Sequence, residues 1–327
     1  MDNNESRVLR IGVMGGANVA RNHVIPAIKE LPEKYQLIAV ASRTAEKAQS
    51  FAETFHCEAI TGYHALLERK DINVVYCPLP TGLHADWINK ALDAGKHVYA
   101  EKSLGMNYHE VKEMIQIAKK NSLALMEGYM YKYHPQHQIV KELLNTGRIG
   151  EIRHLRSVFC FPPLPDKSNF RYDEKIGGGV IMDAAGYAVS AIEFITGRRL
   201  KVESANVYRN QQGTSIYGSA YLTYQNDYSA DSEFGFDNYY QCRYEVLGTE
   251  GKITVPKAFT PKRDEATRII LETKNGEDVI SVPPCNHFIK ALEELYAICF
   301  DESKRGYHYE VNEYQSYLLE QIKNKSK

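Results

Sequence analysis

The stretch 8-VLRIGVMGGANVARNHVIPAI-28 decides how the chain begins to fold. Val8 to Met14 is an apolar run that stops at two glycines, and a helical pattern runs from near Asn18 to Leu31. A strand, a glycine turn and a helix in that order can hold a dinucleotide. The motif needs a tight turn, a close approach of backbone to pyrophosphate, and close packing of helix on strand. Aligned this way, Gly15 takes the first glycine place, Ala17 the second and Ala20 the third. The third place tolerates alanine, whereas the methyl group of Ala17 pushes a phosphate outward. Gly15, Gly16, Ala17, Asn18 and Val19 are thus the candidate phosphate-binding turn. The backbone N–H groups at the start of the helix would face the anion.

Working outward, short apolar runs alternate with helical patterns for about 125 residues. The strands are 35-YQLIAVAS-42, 57-CEAI-60, 73-NVVYCPLP-80, 96-KHVYAE-101 and 123-LALMEG-128. The helices between them are 45-AEKAQSFAETF-55, 63-YHALLER-69, 84-HADWINKALDAG-95 and 108-YHEVKEMIQIAKKN-121. That alternation predicts a doubly wound parallel sheet of Rossmann type, covered by helices on both faces, over residues 1–127. From Tyr129 the texture changes. A helix at 134-HPQHQIVKELLNTG-147 precedes the alternating strand 151-EIRHLRSVFCF-161, and 177-GGGVIMDAAGYAVSAIEFITG-197 ends as a helix. Strand patterns then dominate from Arg199 to Asn275, with turn signals such as Asn275-Gly276, before the tail returns to helix. Residues 128–327 therefore read as an α+β domain with an open, mostly antiparallel sheet and a C-terminal helix. The sheet is rich in the chain's 23 tyrosines. An open sheet with one uncovered face calls for a partner, so a homo-oligomer, dimer or tetramer, through this sheet is expected.

Composition narrows the function. A formal net charge of -1 gives no electrostatic reason to expect nucleic acid or an anionic membrane as partner. None of the six cysteines forms a C-x-x-C pair, so no structural zinc site is expected. His134 and His137 have a metal-compatible spacing but no carboxylate or cysteine partner nearby, and no metal is assigned. The polar 1-MDNNESRVLR-10 lacks the apolar core of a signal peptide, and no apolar run is long enough to span a bilayer. A cytoplasmic protein is the expectation.

The end of the second strand selects the cofactor. A free 2′-hydroxyl is usually held there by an acid. This chain has Ser42, Arg43 and Thr44, with Lys47 one turn on. A guanidinium binds a 2′-phosphate in a fork and stacks on adenine, so NADP(H) is favoured over NAD(H). Ligands lie beyond the carboxyl ends of parallel strands. That edge holds Pro78, Leu79, Pro80 and His84 after the fourth strand, and Glu101 and Lys102 after the fifth. A hydride arriving at a carbonyl carbon leaves charge on oxygen, which needs a cation or proton donor within hydrogen-bond reach. Lys102 can supply it.

These residues carry a resemblance. The segment 100-AEKSL-104 resembles the E-K-P signature of the glucose–fructose oxidoreductase and inositol dehydrogenase (Gfo/Idh/MocA) family, and so do 177-GGGVIMDAAGY-187 and 244-YEVLGTEGKITV-255. Within it, 74-VVYCPLPTGLHADW-87, 130-MYKYHPQHQIVKELLNTGRIGEIRHLRSVFCFPP-163 and 170-FRYDEKIGGGVIMDAAGY-187 are most similar to NDP-hexose 3-ketoreductases. The resemblance implies that Lys102 lies near a substrate carbonyl. It places the family's D-x-x-x-H/Y pattern on Asp183 and Tyr187, and sets Arg171 near the cofactor carboxamide. Ser103 stands where the family has proline, so an ordinary trans peptide is expected after Lys102. The implied chemistry is hydride transfer from NADPH to a sugar ketone. Tyr187 is its proton donor, Lys102 assists, and Asp183 accepts a sugar hydroxyl or orients the lysine. The substrate is a sugar or nucleotide-linked keto-deoxysugar. Two alternatives stay open: an aldose or trans-dihydrodiol dehydrogenase, and an NADP-binding regulator without turnover.

Overall fold

A computed structural model of the protein describes residues 8–166, 168–225 and 227–326. The polar stretch read above over residues 1–10 lies outside the described residues up to position 7. The chain divides into two compact units, Met1–Gly128 with Phe288–Glu313, and Tyr129–His287 with Tyr314–Lys327.

The first unit is built on six parallel strands: β1 (Leu9–Met14), β2 (Tyr35–Ser42), β3 (Glu58–Thr61), β4 (Val74–Cys77), β5 (His97–Ala100) and β6 (Leu125–Glu127). Their order is β3-β2-β1-β4-β5-β6, the doubly wound arrangement in which the chain reverses direction of growth at β1. Every residue of β4 is buried, as a strand covered on both faces requires. The expected first helix is a π-helical turn, Ala20–Val24, continued by the α-helix Ile25–Lys29. The helix Tyr108–Lys120 starts with a reciprocal cap. Asn107 Oδ1 accepts from the Glu110 N–H at 2.9 Å, and the Glu110 carboxylate accepts from the Met106 N–H at 2.8 Å. Residues 288–313 join this unit through buried polar contacts. The Arg305 guanidinium donates to the carbonyls of Ile298, Cys299 and Ser122, and the Tyr309 hydroxyl donates to that of Leu123.

The second unit holds eight strands: β7 (Ile152–Cys160), β8 (Lys201–Arg209), β9 (Ser215–Tyr224), β10 (Tyr228–Gly235), β11 (Gln241–Gly248), β12 (Gly251–Val255), β13 (Thr267–Thr273) and β14 (Gly276–Val282). The order is β14-β13-β12-β11-β7-β10-β9-β8. All pairings are antiparallel except β7 with β10, which run parallel with Ser157 opposite Ser232. The Asn275-Gly276 signal is the β13–β14 hairpin, with Gly276 at φ +121°. The apolar helix Gly186–Thr196 packs on β7 and β10 and closes one face of the sheet. On the strands toward the β8 edge, Tyr208, Tyr217 and Tyr221 remain exposed. Among the described residues no helix is long and apolar enough to cross a membrane.

Candidate active site

In the first unit the glycine turn forms as the spacing requires. Gly15 adopts φ +116°, and its N–H donates to the Ala41 carbonyl at 2.8 Å, tying the turn to β2. A Cβ on Gly15 would lie 2.8 Å from Leu79 Cδ2, so the turn after β1 is pressed against the loop after β4. A Cβ on Gly16 would lie 2.7 Å from Lys47 Cε and 2.8 Å from Phe51 Cε2, which brings the Lys47 stem over the turn. Ala17 and Val19 are half-buried and Asn18 is exposed. Ser42 is buried at the end of β2, with Arg43 exposed beside it. Burial raises the Tyr63 phenol, and the Arg43 charge works against that rise, so the two are neighbours. Arg43 and Lys47 with no carboxylate from Ser42 to Thr44 is a donor set that suits a phosphate-bearing adenosine.

The loops after β4 and β5 meet at His84. Pro78 and Leu79 are buried and Pro80 is half-buried. His84 opens the helix His84–Asp93 and is fully buried. Its Nε2 lies 2.8 Å from the Leu79 carbonyl oxygen, and its Nδ1 lies 3.0 Å and 3.2 Å from those of Ser103 and Leu104. Burial lowers its pKa, and the three carbonyls oppose the shift.

Lys102 is half-buried in the turn after β5. The Lys102–Ser103 peptide is cis, which corrects the expectation of a trans bond. That expectation rested on residue type alone, and the turn is enclosed in ways residue type does not reveal. Ser103 is buried, its carbonyl faces His84, and the Leu104 N–H donates to Glu127 Oε1 at 2.8 Å. Glu101 accepts from the buried Tyr76 hydroxyl at 2.7 Å, which fixes its carboxylate. The Tyr76 phenol is held well above its ordinary range, first by burial and then by the Glu101 charge. Sequence reasoning missed Glu127 and Tyr76. Glu127 could have been found, because an acid closing the apolar run 123-LALME-127 falls on the same sheet edge, opposite Ala100 in register.

In the second unit, Asp183 lies in the π-helical turn Ile181–Ala185, which runs directly into the helix Gly186–Thr196 carrying Tyr187. π-helical turns recur at functional positions. Tyr187 is buried in a box of rings: Phe159 at 4.7 Å, Tyr129 at 5.3 Å, Phe259 at 5.8 Å and Tyr131 at 5.9 Å between centroids. Its hydroxyl points to Met130 Sδ at 3.7 Å, a weak acceptor. Arg171 Nε donates to Asp183 Oδ2 at 2.8 Å. The glycine run frames this pair. Gly177 and Gly179 have φ of +91° and +86°, and a Cβ on Gly178 would meet the carbonyl oxygens of Phe170, Asp173 and Arg171 within 2.7 Å. Of the histidines set aside as metal ligands, His137 lies with Nδ1 2.9 Å from the Tyr244 hydroxyl and Nε2 3.0 Å from the Ala258 carbonyl. Among the described residues no group of three or more His, Cys, Asp or Glu side chains could hold a metal ion.

A parallel sheet in doubly wound order, a left-handed glycine turn and a basic second-strand end define a dinucleotide-binding oxidoreductase. Comparison with known proteins agrees. Residues 9–129 match the family model described as "Oxidoreductase family, NAD-binding Rossmann fold", and residues 137–254 match the GFO/IDH/MocA C-terminal domain. The chain belongs to the GFO/IDH/MocA family of oxidoreductases. It is 39% identical over 285 residues to a dTDP-3,4-didehydro-2,6-dideoxy-alpha-D-glucose 3-reductase of Saccharopolyspora spinosa, covering 87% of this chain and 85% of that one. It is 30% identical over 287 residues to a D-xylose 1-dehydrogenase (NADP(+)) of Haloferax volcanii, covering 87% of each. Its fold is similar to the crystal structure of KijD10, a 3-ketoreductase from Actinomadura kijaniata in complex with NADP and TDP-benzene. The TM-score is 0.94, with 32% identity and 98% of both chains covered.

Proposed function

We propose that the protein is an NADP(H)-dependent 3-ketoreductase acting on a nucleotide-linked keto-deoxysugar. The observation that carries this reading is the turn after β5. A half-buried lysine sits there in a turn held by His84 on the Ser103 carbonyl and by Glu127 on the Leu104 N–H, next to a Glu101 carboxylate fixed on Tyr76. The similarity to the Saccharopolyspora reductase and to KijD10 supports the substrate class, and Arg43 with Lys47 supports the 2′-phosphorylated cofactor.

NADPH, when bound, supplies the hydride. The N–H groups from Gly16 to Val19 bind its pyrophosphate, and Arg43 binds the 2′-phosphate. Tyr187 donates its phenolic proton to the oxygen that gains charge. A phenol ordinarily releases its proton near pH ~10, so the positive charge of Lys102 assists by stabilising the phenolate. Asp183, paired with Arg171, accepts a hydrogen bond from a sugar hydroxyl. The exposed Tyr208, Tyr217 and Tyr221 support pairing of the antiparallel sheet with a second copy of the chain.

The test is a substrate screen read by nicotinamide absorbance, with NADPH and NADH compared. Turnover of a nucleotide-linked 3-keto sugar with NADPH is expected. Turnover of free aldoses or a trans-dihydrodiol in its place would move the protein to the dehydrogenases of the same family. No turnover with any of them, together with tight NADPH binding, would make it a regulator.

A further inference from the structure

We propose that His84 is a positioning residue that couples the loop after β4, on the ligand edge of the parallel sheet, with the turn that carries Lys102. This inference rests on the reading of Lys102 as the lysine that serves the reaction.

The geometry has two arms. One ring nitrogen, Nε2, reaches the carbonyl of Leu79 in the loop after β4, at 2.8 Å. The other, Nδ1, reaches the carbonyls of Ser103 and Leu104 in the turn after β5, at 3.0 Å and 3.2 Å. All three partners are backbone oxygens, which only accept, so every hydrogen bond here is donated by the imidazole. A neutral ring has one N–H and serves one arm at a time, whereas the imidazolium serves both. The side chain has no exposure, so it works through the two loops rather than on a ligand.

Leu79 is not an arbitrary anchor. Its side chain is the group that a Cβ on Gly15 would strike at 2.8 Å, so the Nε2 arm steadies the loop that packs on the phosphate turn. Ser103 and Leu104 follow Lys102 directly, and the Leu104 N–H is held from another side by Glu127 at 2.8 Å. The Nδ1 arm therefore sets the base of the lysine. A buried hydrogen-bonded side chain that links two loops of one sheet edge fixes the geometry on which transition-state contacts depend.

The arms can be cut separately. In His84→Asn the amide nitrogen stands in for Nδ1 and keeps a donor on Ser103 and Leu104. In His84→Gln it stands in for Nε2 and keeps a donor on Leu79. Steady-state kinetics and NADPH binding by fluorescence are measured on both, beside His84→Ala and Lys102→Met. The expected result is a crossed pattern. The Gln variant loses about tenfold more kcat than the Asn variant, and the Asn variant raises the Kd for NADPH about tenfold more than the Gln variant, as loss of one buried hydrogen bond gives. The Ala variant shows both losses. Equal losses in the Asn and Gln variants, or a fall in Tm with kcat and Kd unchanged, overturn the proposal. Parental kcat in Lys102→Met overturns the lysine reading and the proposal with it. Loss of kcat in Lys102→Met without the crossed pattern overturns the coupling alone.

Discussion

Arg171 Nε donates to Asp183 Oδ2 across 2.8 Å, with the carboxylate about nine-tenths buried and the guanidinium about one-third exposed. The pair joins the loop before the glycine run to the π-helical turn just ahead of Tyr187. Arg171→Ala removes a charge-assisted donor from a buried acid. Discounted for the exposure of the guanidinium, the cost is about 1–2 kcal/mol. Chemical denaturation is expected to show that loss, and kcat to fall with it. Arg171→Lys restores the charge but not the planar donor and is expected to recover only part of both. Unchanged stability and kcat in Arg171→Ala would show that the pair is ornamental.

Gly186 lies under Tyr129. A Cβ there would sit 1.9 Å from the Tyr129 hydroxyl oxygen and 3.0 Å from Cζ. Tyr129 is buried, accepts from Gln315 Nε2 at 3.2 Å, and packs edge-on against Tyr187. Gly186→Ala is therefore expected to cost about 1–3 kcal/mol by overpacking and to displace Tyr187, lowering kcat. Adding Tyr129→Phe removes the atom in closest conflict, so the double variant is expected to regain part of the lost stability. Additive losses in the double-mutant cycle would refute the contact.

Acid sensitivity follows from two buried histidines, His134 and His137, and the half-buried His97. Burial lowers His97 and His134 to about 4 and His137 to about 3, from an ordinary 6.5. The Arg305 charge adds to the shift of His97, and neighbouring His134 to that of His137. Between pH 6.5 and 4 the unfolded chain binds more protons at these sites than the folded one. Folding stability is therefore fully present above pH 6.5 and falls as pH drops through that window. The fall reaches up to about 1.4 kcal/mol per pH unit for each histidine. Unfolding free energies measured at pH 7.5, 6 and 5 are expected to decrease in that order, and a flat series would contradict it.

The single tryptophan is a built-in reporter. Trp87 stands edge-on to Tyr63 at 5.0 Å between centroids, and Tyr63 neighbours both Arg43 and the Gly15 turn. Addition of NADPH is expected to change Trp87 emission. Arg43→Ala is expected to weaken the NADPH midpoint by about tenfold or more, as loss of a charge-assisted phosphate contact does, and to leave that of NADH nearly unmoved. Equal effects on the two cofactors would remove Arg43 from the 2′-phosphate.

Periodicity made the parallel sheet legible, because its strands, apart from the short and mostly exposed β3, are compact apolar runs bounded by Gly, Pro or polar residues. The glycine turn and the end of β2 were legible because their chemistry depends on local backbone shape and local charge. The antiparallel sheet was legible in kind but not in its pairings. The parallel β7–β10 pair joins residues about 75 positions apart, and β14, with its mostly polar and exposed 276-GEDVISV-282, has little strand pattern. The helices at 288–313 show an apolar face in sequence, but nothing in that face names the sheet it covers. Around Lys102, the local motif was plain. The groups that hold its neighbours in the turn, His84 on Ser103, Glu127 on Leu104 and Tyr76 on Glu101, come from other strands or loops, and only the fold brings them together. The cis peptide before Ser103 ran against residue type, which is all that a sequence offers at that point.

The most direct measurement is the turnover of Tyr187→Phe with NADPH and a nucleotide-linked 3-keto sugar, beside NADPH binding by the same variant. Loss of the phenolic proton donor is expected to lower kcat by about a hundredfold or more, the usual contribution of general acid catalysis, while NADPH binding stays as in the parent. Parental kcat in the phenylalanine variant would contradict the account.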